Sequence, residues 1–301
     1  MTDASPTISA IEARAIEARV LDVVADDGHR YQLIARTPAA PTRSLLWLPA
    51  LGAAARHYIA FAEALAARGI AVFIHEWRGN GASQLRADRQ HDWGYRELLD
   101  LDIPASARSA RLALAEATGG GAGLDIIGGH SLGGQLACCH LARHPPASGK
   151  PAPALWLVAS GAPYWRAFPS PHRYWLPFAY RFLPWLARRR GALPGRSIGF
   201  GGTEARSLIR DWAGTALSGR YAAQGLGDLE AGLAGIDADV RAVLLSQDWL
   251  APEGSLRFLL SKLPGATART TTLDAGGLQA RPDHYAWMKS PDAVADRLCA
   301  P

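Results

Sequence analysis

The chain has 301 residues, of which 49% are hydrophobic and 20% charged, and a formal net charge of +5. That length can bury a large core, either as one α/β domain with an insertion or as two domains, and the composition excludes a chain disordered beyond its first dozen residues. The basic excess is local, with ten arginines against Glu204, Asp211, Asp228 and Glu230 over residues 163–230; without a base-reading basic helix or an RNA-binding signature, it does not point to nucleic acid.

The N-terminus, MTDASPTISAIEARAIEARV, has no basic region followed by an apolar run, and no segment reaches the length of a membrane span. A leader is therefore not expected, and the expected location is the cytoplasm. IEARVLDVVA and HRYQLIART read as two strands joined by the turn DDGH, which is hairpin chemistry. Alternation follows: SLLWLPA as a buried strand, ARHYIAFAEALAARG as a helix closed by Gly69, and IAVFIHEW as the next strand. YRELLDLDIPASARSARLALAEA reads as a helix interrupted at Pro104. After GLDIIGG, an apolar run of strand length, Leu132, Leu136 and Cys139 recur at helical spacing until Pro145 and Pro146 end the helix. ALWLVAS, VRAVLLSQ and ARTTTLDA supply three further strands, and DAVADRLCA a final helix. This order predicts an α/β fold with a mostly parallel central sheet flanked by helices.

The rhythm breaks once, between Ser160 and about Asp237, over a stretch too long for a loop and without a strand–helix–strand repeat. It is expected to be a mainly helical cap at 161–237, inserted into a core made of 1–160 and 238–301. Twelve of the 25 aromatic residues lie within it.

The segment GGHSLGG at 128–134 places one serine among four glycines at a strand-to-helix junction. Residues 129–133 fit the G-x-S-x-G nucleophile elbow, a turn so tight that glycines are needed on both sides of the serine. Such a turn aims the Ser131 hydroxyl out of the carboxyl end of the sheet. It also leaves the Leu132 amide at a helix N-terminus, where negative charge is favoured. A phosphate loop is not indicated, because the lysine and Ser/Thr of that motif are missing.

Together with LPALGAAARHY, EWRGNGAS, SGAPYWR and QDWLAP, this segment resembles the α/β-hydrolase superfamily from about residue 18 to the end. More narrowly, the ordered set resembles bacterial hydrolases of undefined substrate in the serine aminopeptidase and lysophospholipase-like branch. The resemblance implies a triad in the order serine, acid, histidine. His284, in RPDHYAW between the last strand and the last helix, is the late histidine that fits; His140, His144 and His172 come too early. Asp248, directly after a strand in LLSQDWLAP, is the expected acid, with Asp274 as its rival and Asp283 too close to the histidine in sequence. A serine hydroxyl needs an imidazole to take its proton, and the imidazole needs a carboxylate to orient it.

The second oxyanion donor should come from the loop after SLLWLPA, where Pro49-Ala50-Leu51-Gly52 replaces the His-Gly of many relatives. Leu51 is preferred beside Leu132, with Ala50 as the alternative. His130 reads as a packing residue, and Arg78 and Asn80 as turn-forming residues. In the cap, Trp165, Trp175 and Phe178 are candidates to line an acyl pocket. Three readings of its aromatics stand side by side: packing onto the core, a greasy channel, or a weak membrane-surface contact with arginines on anionic head groups. Cys138, Cys139 and Cys299 have no ligand spacing, so neither metal nor cofactor is expected. The expected activity is hydrolysis of a small carboxylic ester or acyl substrate through an acyl-enzyme. Peptide hydrolysis, acyl transfer or perhydrolysis could use the same residues, and a non-catalytic binding module is the reading from another class.

Overall fold

The computed structural model describes residues 16–120, 123–146 and 151–300; the leader expectation falls on 1–15, outside them. Strands β1 (Ile16–Val24) and β2 (Arg30–Pro38) pair as an antiparallel hairpin, with Val20 opposite Ile34. Next come β3 (Arg43–Leu48), α1 (Ile59–Ala66), β4 (Ile70–Ile74) and α2 (Ile103–Thr118). These are followed by β5 (Ile126–His130), α3 (Leu132–Arg143) and β6 (Ala154–Val158). After β6 the chain forms α4 (His172–Arg190), the two-residue strands β7 (Leu193–Pro194) and β8 (Thr203–Glu204), α5 (Arg206–Ser218) and α6 (Leu229–Ala234). It then returns to the sheet as β9 (Asp239–Leu245), α7 (Glu253–Leu260), β10 (Thr267–Leu273) and α8 (Asp292–Cys299).

Eight strands form one sheet in the order β1-β2-β4-β3-β5-β6-β9-β10. Only the pairings of β2 with β1 and with β4 are antiparallel; from β4 to β10 the sheet is parallel. Parallel strands need covered faces, which is why β4 and β5 read as continuous apolar runs and are buried at every residue. The alternation of side chains sorts β3 between two cores. Leu46 and Leu48 face α2 and α3, joining Ile103, Ala110, Leu136 and Cys139. Leu45 and Trp47 face α1 and α8, joining Phe61, Leu65, Val294 and Leu298. Each such side chain contributes roughly 1.5–3 kcal/mol on full burial.

Pro104 does not interrupt its helix as the sequence suggests. It occupies the first turn of α2, where a missing N–H is tolerated, and the backbone before it opens into a π turn at Leu98–Asp102. The wider turn brings Asp102, fully buried, into the core.

The long stretch between β6 and β9 packs through its helices. In α4 the residues Leu176, Tyr180, Leu183 and Ala187 recur every three or four positions and are all buried. Tyr180 meets Trp212 of α5 edge-on, with ring centroids 5.1 Å apart, and Phe200 tilts against the same indole at 5.2 Å. No helix among the described residues is long and apolar enough to cross a membrane.

Candidate active site

Ser131 joins β5 to α3 with φ 53° and ψ −118°, a left-handed backbone that a residue with a Cβ adopts only under constraint. The constraint is visible. The Ser131 amide donates to the Val158 carbonyl at 3.1 Å, and Ser160 Oγ donates to the Ser131 carbonyl at 2.7 Å, so the turn is pinned to the neighbouring strand. The flanking glycines are required by contact rather than by flexibility: a Cβ at Gly129 would overlap the backbone of Gly133 and Gly134, and one at Gly133 the carbonyls of Leu48 and Pro49. That second contact interlocks the turn with the loop after β3.

On the far side, the loop after β9 carries Asp248 and the loop after β10 carries His284. His284 Nδ1 lies 2.7 Å from Asp248 Oδ2, with both side chains almost wholly buried. The other carboxylate oxygen, Oδ1, accepts from the amides of Leu250 at 2.9 Å and Ala251 at 3.2 Å, which fixes the rotamer. Asp274 is engaged elsewhere, capping a single helical turn through the Gly277 amide at 2.7 Å. Asp283 accepts from the amides of Tyr285 and Ala286 at 3.0 and 2.7 Å. Trp287, fully buried and edge-on to Phe61 at 5.2 Å, anchors the segment that follows His284. Ser131, Asp248 and His284 all line one cavity of about 1020 Å³. Among the described residues no hydrogen bond joins Ser131 Oγ to His284; such nucleophile–base contacts commonly tighten only with substrate.

The two leucines named for the oxyanion hole line the same cavity. The Ala50 amide is not free for that role, because it donates to Tyr58 Oη at 2.9 Å. Tyr58 Oη also meets His130 Nδ1 at 2.8 Å. His130 is fully buried, its centroid 4.7 Å from that of His284. Burial first, and the neighbouring His284 second, hold its pKa well below the usual imidazole range. The two imidazole planes are tilted by 45° to one another. Sequence reasoning gave Tyr58 no role, although it closes the segment LPALGAAARHY.

The three cap aromatics are placed apart. Trp175 lines the cavity, together with Trp249 and Tyr285, which the sequence did not single out. Phe178 does not: it lies two residues on from Leu176, about 200° around the helix from the buried face, and is 75% exposed. Trp165 is also absent from the cavity wall. It packs half-buried against the core, beside Tyr164 at 6.3 Å and under Arg166 at 4.9 Å. Of the three, Trp175 alone is among the residues that line this cavity.

Glu204 of β8 is buried beside Leu51 and Leu132, accepting from the Gly202 amide at 2.6 Å, and burial pushes its pKa up to about 7. Arg78, read from sequence as a turn residue, is part of a sealed network. It donates to Asp102 at 2.9 and 2.6 Å, while His29 Nδ1 lies 3.0 Å from Asp102 Oδ1 and His29 Nε2 lies 2.9 Å from Ser83 Oγ. Among the described residues no group of three or more His, Cys, Asp or Glu is placed to hold a metal ion.

A parallel sheet with a strained serine turn at its carboxyl edge and a histidine–aspartate pair across one cavity defines an α/β hydrolase. The model of the serine aminopeptidase family, S33, matches residues 39–211, more than half of the chain, and the chain belongs to that family of hydrolases. No curated protein matches it. Among solved structures it is similar to a putative lipase from Acinetobacter baumannii, at 15% identity and TM-score 0.58, covering 99% of this chain and 96% of that one. It is similar to an esterase from Thermogutta terrifontis at 15% identity and TM-score 0.57, covering 93% and 97%. A hydrolase from Pseudomonas aeruginosa matches at 20% identity and TM-score 0.54, again covering 93% and 97%. At these identities the likeness is one of fold.

Proposed function

We propose that the protein hydrolyses carboxylic esters through an acyl-enzyme. The observation that carries this reading is the His284–Asp248 bond of 2.7 Å facing the cavity that Ser131 also lines. Ser131 Oγ attacks the acyl carbon while His284 Nε2 takes the hydroxyl proton, and Asp248 holds the imidazole in the tautomer that leaves Nε2 open. The oxyanion of the tetrahedral intermediate accepts from the Leu51 and Leu132 amides, each such donor being worth about 3–4 kcal/mol in the transition state. His284 then protonates the leaving alcohol. Water, deprotonated by the same imidazole, attacks the acyl carbon and releases the acid and Ser131.

The family name raises peptide hydrolysis from a free amino end, which needs a carboxylate to receive the ammonium group. Besides Asp248, the acidic residue lining the cavity is Asp283. Its oxygens are engaged by two backbone amides and by Arg281 at 3.3 Å. Leu176, Ala179, Leu183 and Phe200 contribute an apolar wall instead. Supporting an ester with an apolar acyl group, this wall predicts that each added methylene improves kcat/KM by about 0.8 kcal/mol, roughly fourfold, until the pocket is full. The test is a panel of aryl esters from acetyl to dodecanoyl beside aminoacyl anilides. Esters should exceed anilides, and the rise with length should flatten in Trp175→Ala but persist in Phe178→Ala. A preference for anilides, or a flat profile in the parent, would overturn the reading.

A further inference from the structure

Helix α4 has a second face, opposite the buried one. Taking 100° per residue, Tyr174, Phe178, Arg181, Phe182, Trp185, Arg188 and Arg189 fall within about 120° of one another. This stripe interleaves four aromatics with three arginines. The aromatics stand in solvent, with Tyr174 61%, Phe178 75%, Phe182 51% and Trp185 45% exposed. A run of large aromatics along one side of a single helix is a patch that soluble surfaces ordinarily avoid. Charge sharpens the point: residues 161–203 contain seven arginines and no acidic residue. The arginines meet rings and carbonyls. Arg173 lies over Tyr174 at 5.1 Å, Arg189 over Trp185 at 5.7 Å, and Arg181 donates to the Pro177 carbonyl at 2.9 Å.

We propose that this outer face of α4 docks the protein on an anionic lipid surface. Tyr and Trp, with an apolar body and a polar edge, seat at the level of head groups, and Phe178 and Phe182 reach below them. Arginine stems lie along the apolar stripe while their guanidinium groups meet phosphate oxygens, two at a time. A second copy of the chain is disfavoured as occupant, since a two-fold contact through this face would set arginines against arginines. A convex helix side with no groove suits a flat bilayer. The stripe also continues into the entrance of the cavity. Trp175, next to Tyr174, lines it and stands 5.9 Å from Trp249, another half-exposed lining residue. A docked molecule would thus present its apolar cavity near the lipid from which a poorly soluble substrate would come.

The full chain would be sedimented with vesicles of phosphatidylcholine containing about 30% phosphatidylglycerol, and with pure phosphatidylcholine vesicles. Because binding is read directly, its outcome is independent of whether Ser131 hydrolyses esters. Partition onto the anionic vesicles should exceed that onto the neutral ones by about tenfold or more, and fall as salt is raised. Arg188→Gln with Arg189→Gln should lower it by about tenfold. Phe178→Ser with Trp185→Ser should lower it on both vesicle types, with far-ultraviolet circular dichroism and the thermal midpoint little changed because both side chains are largely exposed. Absence of binding, equal binding to both vesicles, or binding that survives both double variants would overturn the proposal. So would a concentration-dependent dimer that these substitutions dissolve while vesicles remain unbound, which would assign the face to a second copy.

Discussion

Among the described residues are two sets of serine, histidine and aspartate, and by distance the one away from the cavity is the more complete. Ser83, His29 and Asp102 are joined by contacts of 2.9 and 3.0 Å; of Ser131, His284 and Asp248 only the last two are joined, at 2.7 Å. The environments differ in every other respect. All three residues of the first set are buried, and the Gly79 and Leu85 amides donate to Ser83 Oγ at 3.1 and 3.2 Å. Asp102 is gripped by Arg78 through two nitrogens. Burial alone would raise its pKa, but the hydrogen bonds from Arg78 and His29 outweigh it and hold the carboxyl below its usual range. The second set opens on a cavity that Leu51 and Leu132 also line, and it places its serine on a strained turn. Bond lengths within a triad therefore say little about chemistry. On the function proposed above, access for an acyl carbon, and amides to receive its oxygen, are what would separate a reactive set from a brace.

The contrast breaks most readily at the serines. Ser131→Ala is expected to lower aryl-ester turnover by about ten-thousand-fold or more, leaving what the oxyanion hole and binding alone supply. Ser83→Ala should leave kcat within about threefold. Comparable losses in both would erase the distinction. The aspartates should part in the opposite sense for stability. Asp248→Asn is expected to cut kcat by about a thousandfold or more through the wrong imidazole tautomer. Asp102→Asn, which leaves Arg78 only its part-exposed ion pair with Asp27 at 2.8 Å, should destabilise the fold by about 1–3 kcal/mol while active-site titration shows normal turnover per folded molecule. Denaturant melts and active-site counts on both variants decide it.

A smaller effect concerns Glu204, whose carboxyl is raised from 4.5 to about 7 by burial. Below pH 4.5 both folded and unfolded chains hold this proton, so it has no effect on stability there. Between about 4.5 and 7 the unfolded chain releases it first, and stability falls as pH rises. Glu204→Gln should flatten that fall, by about 2–3 kcal/mol at most across pH 5 to 8. An unchanged slope in urea melts would show that another group carries the dependence.

Parts of this were legible in the sequence for a physical reason. The glycines around Ser131 are dictated by backbone packed against backbone within a few residues, and local constraint leaves a local motif. The alternation of strands and helices was equally readable, because the parallel strands inside the sheet, β3, β4, β6 and β9, are apolar along most of their length. The sealed set was not, since residues 29, 83 and 102 converge from a hairpin, a loop and a π turn with no shared spacing. In α4, Pro177 and Pro184 obscure a helix whose period would otherwise have set Phe178 opposite the buried Leu176, Tyr180 and Leu183. The engagement of the Ala50 amide by Tyr58 likewise depends on three-dimensional proximity alone.

The most direct test of the contrast is to react the folded protein with a fluorophosphonate and locate the adduct by peptide mass spectrometry. The phosphonyl group should be found on Ser131 alone, at one per molecule, and its attachment should fail in His284→Ala. An adduct on Ser83 or any other serine, or labelling undiminished in Ser131→Ala, would contradict the assignment of the cavity-facing set as the reactive one.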